Sequence, residues 1–168
     1  MKRRNHKMHA RYLAYGAIIA AMYAALTHLQ NILIPNSASM AVQFRASEAL
    51  CVLAFFTPAA VPGLTLGCAL FNLSFAGALP LDALVGSAAT LLATLAMRLA
   101  RKYPLVALSM PAVFNAILVG WELTAYIGGG FWLNALYVAL GELIVLLTFG
   151  VFLCRIIQNQ HLDSKMFK

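Results

Sequence analysis

Charge is scarce in this chain. Only 10% of its 168 residues are Asp, Glu, Lys or Arg, and 62% are apolar. Ordinary soluble domains carry roughly 25% charge. A soluble fold of this length keeps too much of its surface in water to hide so many apolar side chains. Cysteine is scarce too. Cys51, Cys68 and Cys154 are odd in number, lie inside apolar runs and form no CxxC. That argues against a disulfide framework or a zinc site and leaves them as core fillers. GxSxG, HExxH, a Walker phosphate loop and a His/Asp set with metal spacing are all missing. The reading is therefore no enzyme, no metal and no cofactor in this chain, with any ATP hydrolysis supplied by another chain. Internal repeats of the kind that build many secondary carriers are absent as well.

What the chain does have is long apolar runs. A span takes about 20 residues, so six use about 120 and leave short ends and loops. Eight spans would leave almost no loops, and four would strand apolar stretches in water. The expected fold is an all-α integral membrane protein, one domain of six transmembrane helices. Residues 1–10 would form a basic tail, 11–156 the bundle and 157–168 a second tail. The spans are expected at Arg11–Leu29, Val42–Phe56, Gly63–Ala76, Leu81–Leu99, Pro104–Ile127 and Phe131–Ile156. Turn residues separate them: Pro35 to Ser37, Thr57 to Pro62, Gly77 to Pro80 and Gly128 to Gly130. The second and third spans are short. The first run continues past Ala25 without a cleavage pattern, so it is not read as a cleavable signal peptide.

Twelve Lys and Arg stand against five Asp and Glu, a net charge of +7. Eleven of the twelve fall in three clusters: Lys2 to Arg11, Arg98 to Lys102, and Arg155 to Lys168. The positive-inside rule puts all three in the cytoplasm. An even number of spans agrees with that, since it returns both termini to one side. The clusters are thus assigned to the membrane, not to nucleic acid, because no folded surface is left over to bind it.

The informative residues are those that are costly in hydrocarbon. Glu48, Asp82, Glu122 and Glu142 lie in or beside spans, with Arg45, the twelfth cation. By topology they gather in the outer half or near the midplane. Each has a plain structural reading. Arg45 and Glu48 are three residues apart and could simply pair. Asp82 follows Pro80 and could cap a helix. Glu142 could be interhelical glue. His28, at the outer end of the first span, has no evident partner. Glu122 shares a stripe with Asn115, Val119 and Tyr126, and Asn134, Tyr137 and Gly141 share a face of the last span. Trp121, Tyr126, Phe131, Trp132 and Tyr137 crowd the outer end of the last two spans. They read either as an interfacial belt or, with the amides and acids, as a pocket for a flat, polar-edged heterocycle. In the first span Ala17, Ala21 and Ala25 form a small-residue ridge beside Gly16, Ala20 and Ala24. Such a ridge suits close approach of another helix, inside the bundle or outside it.

Five segments, taken together and in order, resemble the QueT family: VQFRASEAL (Val42–Leu50), FFTPAAVPGL (Phe55–Leu64), GALPLD (Gly77–Asp82), VFNAILVG (Val113–Gly120) and FWLNALYVALGEL (Phe131–Leu143). That resemblance implies a substrate-binding subunit of an energy-coupling-factor transporter for queuosine precursors. It implies six helices capturing a 7-deazaguanine base outside the cell, and partnership with a transmembrane coupling subunit and two cytoplasmic ATPases. Related subunits dock through an Ala-x-x-x-Ala ridge on the first helix, and Ala17, Ala21 and Ala25 match it. The ligand-contact candidates rest on the polar residues themselves: Arg45, Glu48, Asp82, Asn115, Glu122, Tyr126, Trp132, Asn134, Tyr137 and Glu142. Rival readings are the same fold for another vitamin or heterocycle, an intramembrane enzyme, and a ligand-free assembly subunit.

Overall fold

The computed structural model describes residues 2–35, 37, 44–75, 78 and 81–161, with residues 2–8 described by backbone alone. Over these residues it is helical, with no strand. Six helical elements follow one another: α1 Lys2–Leu33, α2 Ala46–Phe56, α3 Ala60–Ser74, α4 Asp82–Leu99, α5 Pro104–Tyr126 and α6 Phe131–Asn159. Four of them, α1 from His9 onward, α4, α5 and α6, are long and apolar enough to cross a membrane, whereas α2 and α3 are shorter apolar helices. The six expected apolar segments are all helical, and the two expected to be short are the two that fall below span length. The basic tail expected at 1–10 meets a helix that already starts at Lys2. The start of the second expected span, most of the loop before it, Gly77 and Pro80, and the last residues with Lys165 and Lys168 lie outside the described residues.

Neighbours in sequence pack as neighbours in space. α1 lies on α3, α3 on α4, α4 on α5 and α5 on α6, while α2 touches all five others. Every residue from Ser47 to Ala54 is buried, so α2 has no lipid-facing side over that stretch. Its Leu50 and Leu53 join Leu64, Met97, Ala107, Leu146 and Ile157 in the main apolar core. Enclosure by protein explains how so short an element sits inside the bundle.

Two seams are closed by small residues. A Cβ added at Gly63 would lie 2.7 Å from the Gly16 carbonyl oxygen, and one at Gly67 would lie 2.8 Å from that of Ala20. Gly16-x-x-x-Ala20 and Gly63-x-x-x-Gly67 thus let α1 and α3 meet backbone to backbone. Between α5 and α6 the same role falls to Gly120, whose added Cβ would reach within 2.9 Å of Ala135 Cα.

Regular helix breaks in three places. The first part of α2, Ala46–Val52, is a 3₁₀ helix. α6 carries a π turn at Leu146–Gly150, directly after the turn that holds Glu142. Such insertions occur frequently at functional sites. The two irregular segments pack on each other, and a Cβ at Gly150 would sit 3.3 Å from Val52 Cγ1. Pro104 occupies the first turn of α5 as expected, and Pro111 inside the helix removes the donor that Ala107 would otherwise receive. Gly128 and Gly129 join α5 to α6 with φ of 86° and 82°, a region that other residues rarely enter.

Candidate functional site

Three of the five acids in the chain, Glu48, Glu122 and Glu142, stand within electrostatic reach of Arg45. The Arg45 side chain is buried at the start of α2, its guanidinium 5.7 Å from the centre of the Phe71 ring and its Nη1 3.9 Å from Cys68 Sγ. It stands within electrostatic reach of Tyr23, Glu48, Glu142 and Glu122. Gly86 on α4 leaves the room, since a Cβ there would lie 2.8 Å from Asn72 Nδ2 and 3.9 Å from Arg45 Nη1. Sequence spacing allowed Arg45 and Glu48 to pair locally. The structure keeps the two within electrostatic reach and also sets Phe71 and Cys68 of α3 against Arg45.

The acids differ in what they already bond. Glu48 is occupied: the Tyr23 hydroxyl donates to its Oε1, and Cys51 Sγ donates to Oε2 at 3.1 Å. Glu142 is half occupied, taking a bond from Asn115 Nδ2 at 3.0 Å on Oε1, while its Oε2 has no hydrogen-bond partner. Glu122 is buried, its carboxyl stands within hydrogen-bonding reach of the Asp82 carboxyl, and no N–H or hydroxyl donor meets either of its oxygens. Asp82 is its nearest acidic influence. Asn72 on α3 donates to the Asp82 carbonyl at 2.9 Å and leaves its own Oδ1 unbonded. An unmatched buried polar group costs about 1–3 kcal/mol. Glu122, Glu142 and Asn72 thus each carry a buried acceptor oxygen that no donor meets among the described residues.

The stripe expected on α5 holds for three of its four residues. Asn115, Val119 and Glu122 are buried, whereas Tyr126 turns outward. Trp132 is 82% exposed, and Tyr137 is half-buried. The structure therefore does not bring Tyr126 or Trp132 into the polar interior. Asn134 is buried, but its Nδ2 donates to Thr124 Oγ1 at 2.9 Å and to the Gly128 carbonyl at 3.0 Å, which ties the α5–α6 turn. Two local expectations are corrected. Asp82 is the first residue of α4, and Leu81 holds the cap position; Asp82 sits where a carboxylate favours the helix dipole. His28 has a partner: its Nε2 lies 2.8 Å from Ser74 Oγ, and its ring meets Phe71 edge-on at 4.9 Å.

Sequence reasoning missed Tyr23, Cys51, Cys68, Phe71 and Asn72. Asn72 carried the clearest signal, an amide inside an apolar run four residues from a cysteine. Phe71 and Phe75, also four apart, stack at 5.3 Å and extend the Arg45 contact into a layered column.

The small residues of α1 divide by face. Gly16 and Ala20 serve the α3 seam. Ala17, Ala21 and Ala25 lie on an exposed face, flanked by exposed Ile18, Met22 and Leu26.

No curated protein and no solved structure matches the chain. One family model does, described as QueT transporter, and it covers residues 13–159, from the second turn of the apolar part of α1 to the last residue of α6. Together with the four long apolar helices, this makes the chain a multi-pass membrane protein with a role in transport, a transporter rather than an enzyme. The match spans the five quoted segments and the whole acid cluster around Arg45, so the chain belongs to the QueT transporter family.

Proposed function

We propose that the protein is the substrate-binding subunit of an energy-coupling-factor importer in a prokaryotic plasma membrane, and that it captures a queuosine precursor, a 7-deazaguanine base or queuine, from outside the cell. All six helices traverse the bilayer in this reading, α2 and α3 shielded by their neighbours. Both termini and the Arg98–Lys102 loop face the cytoplasm, as the three cation clusters require. ATP is consumed by two cytoplasmic ATPase subunits, reached through a transmembrane coupling subunit. The exposed Ala17, Ala21 and Ala25 ridge supports docking on that subunit, because the packing inside the bundle uses the adjacent Gly16 and Ala20.

One observation carries the ligand reading: the buried, unbonded atoms of Glu122, Glu142 and Asn72 are all acceptors. A deazaguanine presents adjacent ring and exocyclic N–H donors. Charge-assisted bonds from such donors contribute about 1.5–3 kcal/mol each. Phe71, stacked on Phe75 and facing Arg45, adds an aromatic wall nearby. Titration of the purified full-length protein with a panel of deazaguanines and vitamins tests the assignment. A deazaguanine should bind more tightly than any vitamin. Binding confined to a vitamin would replace the substrate and keep the fold, and binding of nothing would favour an assembly subunit.

A further inference from the structure

Where α4 stops and α5 begins, the last turn of α2, the α4–α5 turn and the last turns of α6 enclose a second cavity, of about 140 Å³. The half-buried part of its lining is apolar: Phe55, Phe56, Leu108 and Cys154, with the two phenyl rings edge-on at 6.4 Å. The exposed part carries Arg101 and Gln158. Arg98 braces the same end, since its Nη1 donates to the Ala54 carbonyl at 3.2 Å and ties α4 to α2. Lys102 adjoins Arg101. Arg155 adjoins Cys154 and stands three residues before Gln158, the spacing of neighbours on one helix. None of the acids among the described residues lines this cavity. Asp82 and Glu122 lie toward the opposite ends of α4 and α5. Glu142 comes twelve residues before Cys154, about 18 Å along α6. Glu48 is taken up by Tyr23 and Cys51.

We propose that this cavity seats the head of an acidic phospholipid, with its phosphodiester on Arg101 and Gln158 and its first carbons against Phe55, Phe56 and Leu108. A guanidinium presents a fork of N–H donors that meets phosphate oxygens in pairs. The Gln158 amide adds two donors. A free anion would lose hydration against a lining that is mostly apolar, whereas a phospholipid brings carbon to that side. The apolar surface also continues along the same helices, where Leu105, Val106 and Phe152 are exposed, so the acyl chains have a bed in the bilayer. A zwitterionic head would carry its own cation to an end that already holds Arg98, Arg101, Lys102 and Arg155. Lys and Arg at helix ends snorkel into headgroups without any site. What sets this end apart is the enclosed apolar lining beside Arg101, walled by three segments of chain. Basic pockets between transmembrane helices on the cytoplasmic side take acidic lipid heads in this way. The site shares the membrane orientation proposed above and needs nothing from the deazaguanine assignment. A lipid held there would clamp the end of α2 to the α4–α5 turn and to α6.

The test is thermal melting of the full-length protein in detergent micelles, with added phosphatidylglycerol or phosphatidylcholine of the same acyl chains. Micelles have no sidedness, so the result does not depend on the orientation. A molecule that binds only the folded state raises the melting temperature in proportion to its occupancy. Phosphatidylglycerol should raise it by about 3 °C or more, and phosphatidylcholine should raise it far less. Arg101 is exposed, so Arg101→Gln leaves the packing alone; it should at least halve the phosphatidylglycerol shift. Arg11→Gln removes the same charge from exposed α1 and should leave the shift whole. Leu108→Trp fills the cavity, keeps every cation and should abolish the shift. Equal shifts from both lipids would overturn the acidic head. A full shift in both Arg101→Gln and Leu108→Trp would overturn the cavity and leave diffuse attraction to a basic surface. An equal shift from inorganic phosphate would make this a free-anion site. No shift with any additive would leave the basic end to a protein partner. Should Leu108→Trp not fold, native mass spectrometry decides: one phosphatidylglycerol should stay on the wild type and on Arg11→Gln and be lost from Arg101→Gln, and equal retention by all three would overturn the site.

Discussion

Where α1 crosses α3, one added carbon at Gly63 or Gly67 would collide with backbone. In the polar interior, by contrast, buried oxygens of Glu122, Glu142 and Asn72 meet no donor among the described residues. The first region is finished and the second is incomplete. Close packing with nothing polar at stake holds the helices in place. The polar interior spends stability, because each buried oxygen without a donor is unfavourable. Local stability and binding capacity are thus separated within one small bundle, and substitutions in the two regions should separate the same way.

The largest effect is expected at the seam. Gly67→Leu should lower the melting temperature strongly and deplete monodisperse protein in detergent. Its Cβ alone would lie 2.7 Å from Tyr23 Cβ, and overpacking of this kind costs about 1–3 kcal/mol or more. Gly130→Ala is the control, since nothing lies within 4 Å of its added Cβ. It should melt like the wild type. Equal melting of both variants would mean that the seam yields easily and that the contrast between the regions is weaker than drawn.

Next comes Glu142→Gln. It should weaken deazaguanine binding at least about tenfold and leave the melting temperature unchanged or raised. Gln retains the shape and the Asn115 contact while removing a buried charge. Isothermal titration and a thermal melt, run on the same preparation, read the two quantities. Unchanged affinity with normal folding would move recognition to Glu122, Asn72 and the Phe71 face.

Much of this was legible before any coordinates. Apolar runs placed six helices because burial in lipid or protein demands continuous hydrophobicity, and turn residues bounded them within a few positions. Acids stood out because hydrocarbon penalises them. Their partners did not stand out. Tyr23 bonds Glu48 across 25 positions of chain, and Asn72 reaches the Asp82 carbonyl across 10. Neither spacing follows from helical periodicity, which relates residues on one helix only. The seam was half legible: the small-residue ridges on α1 were visible, but which ridge faced inward depended on Gly63 and Gly67, a match between two helices. Trp132 shows the converse error. Its place near other polar and aromatic residues in sequence suggested a pocket, yet rotation along α6 turns it outward.

Ala21→Leu should have a smaller effect on the isolated protein than either change above. Ala21 is exposed on α1, so a larger side chain meets no neighbour within the subunit. Ligand affinity and melting should stay near wild type. Reconstituted with the coupling and ATPase subunits, the variant should assemble poorly or transport slowly, because a bulky residue holds a partner helix away from a small-residue ridge. Normal uptake would assign docking to another face. A fall in stability of the isolated subunit would instead mean that this ridge packs within the bundle.

The smallest effect is expected at Trp132. Its ring is 82% exposed and meets Phe131 edge-on at 5.1 Å. It lines an apolar groove of about 290 Å³ with Ala112, Ala116, Ala135 and Ala139. An aromatic at this level of a membrane helix suits the interface with lipid headgroups. Trp132→Ala should therefore change deazaguanine affinity by less than about twofold, under 0.5 kcal/mol. Fluorescence would give a second reading. With Trp121 also exposed, the two tryptophans of the chain should report on lipid, and emission should shift with detergent or lipid headgroup while ligand leaves it unmoved. A tenfold loss of affinity, or quenching by saturating ligand, would place Trp132 against the bound base and carry the ligand site from the interior out to the α5–α6 surface.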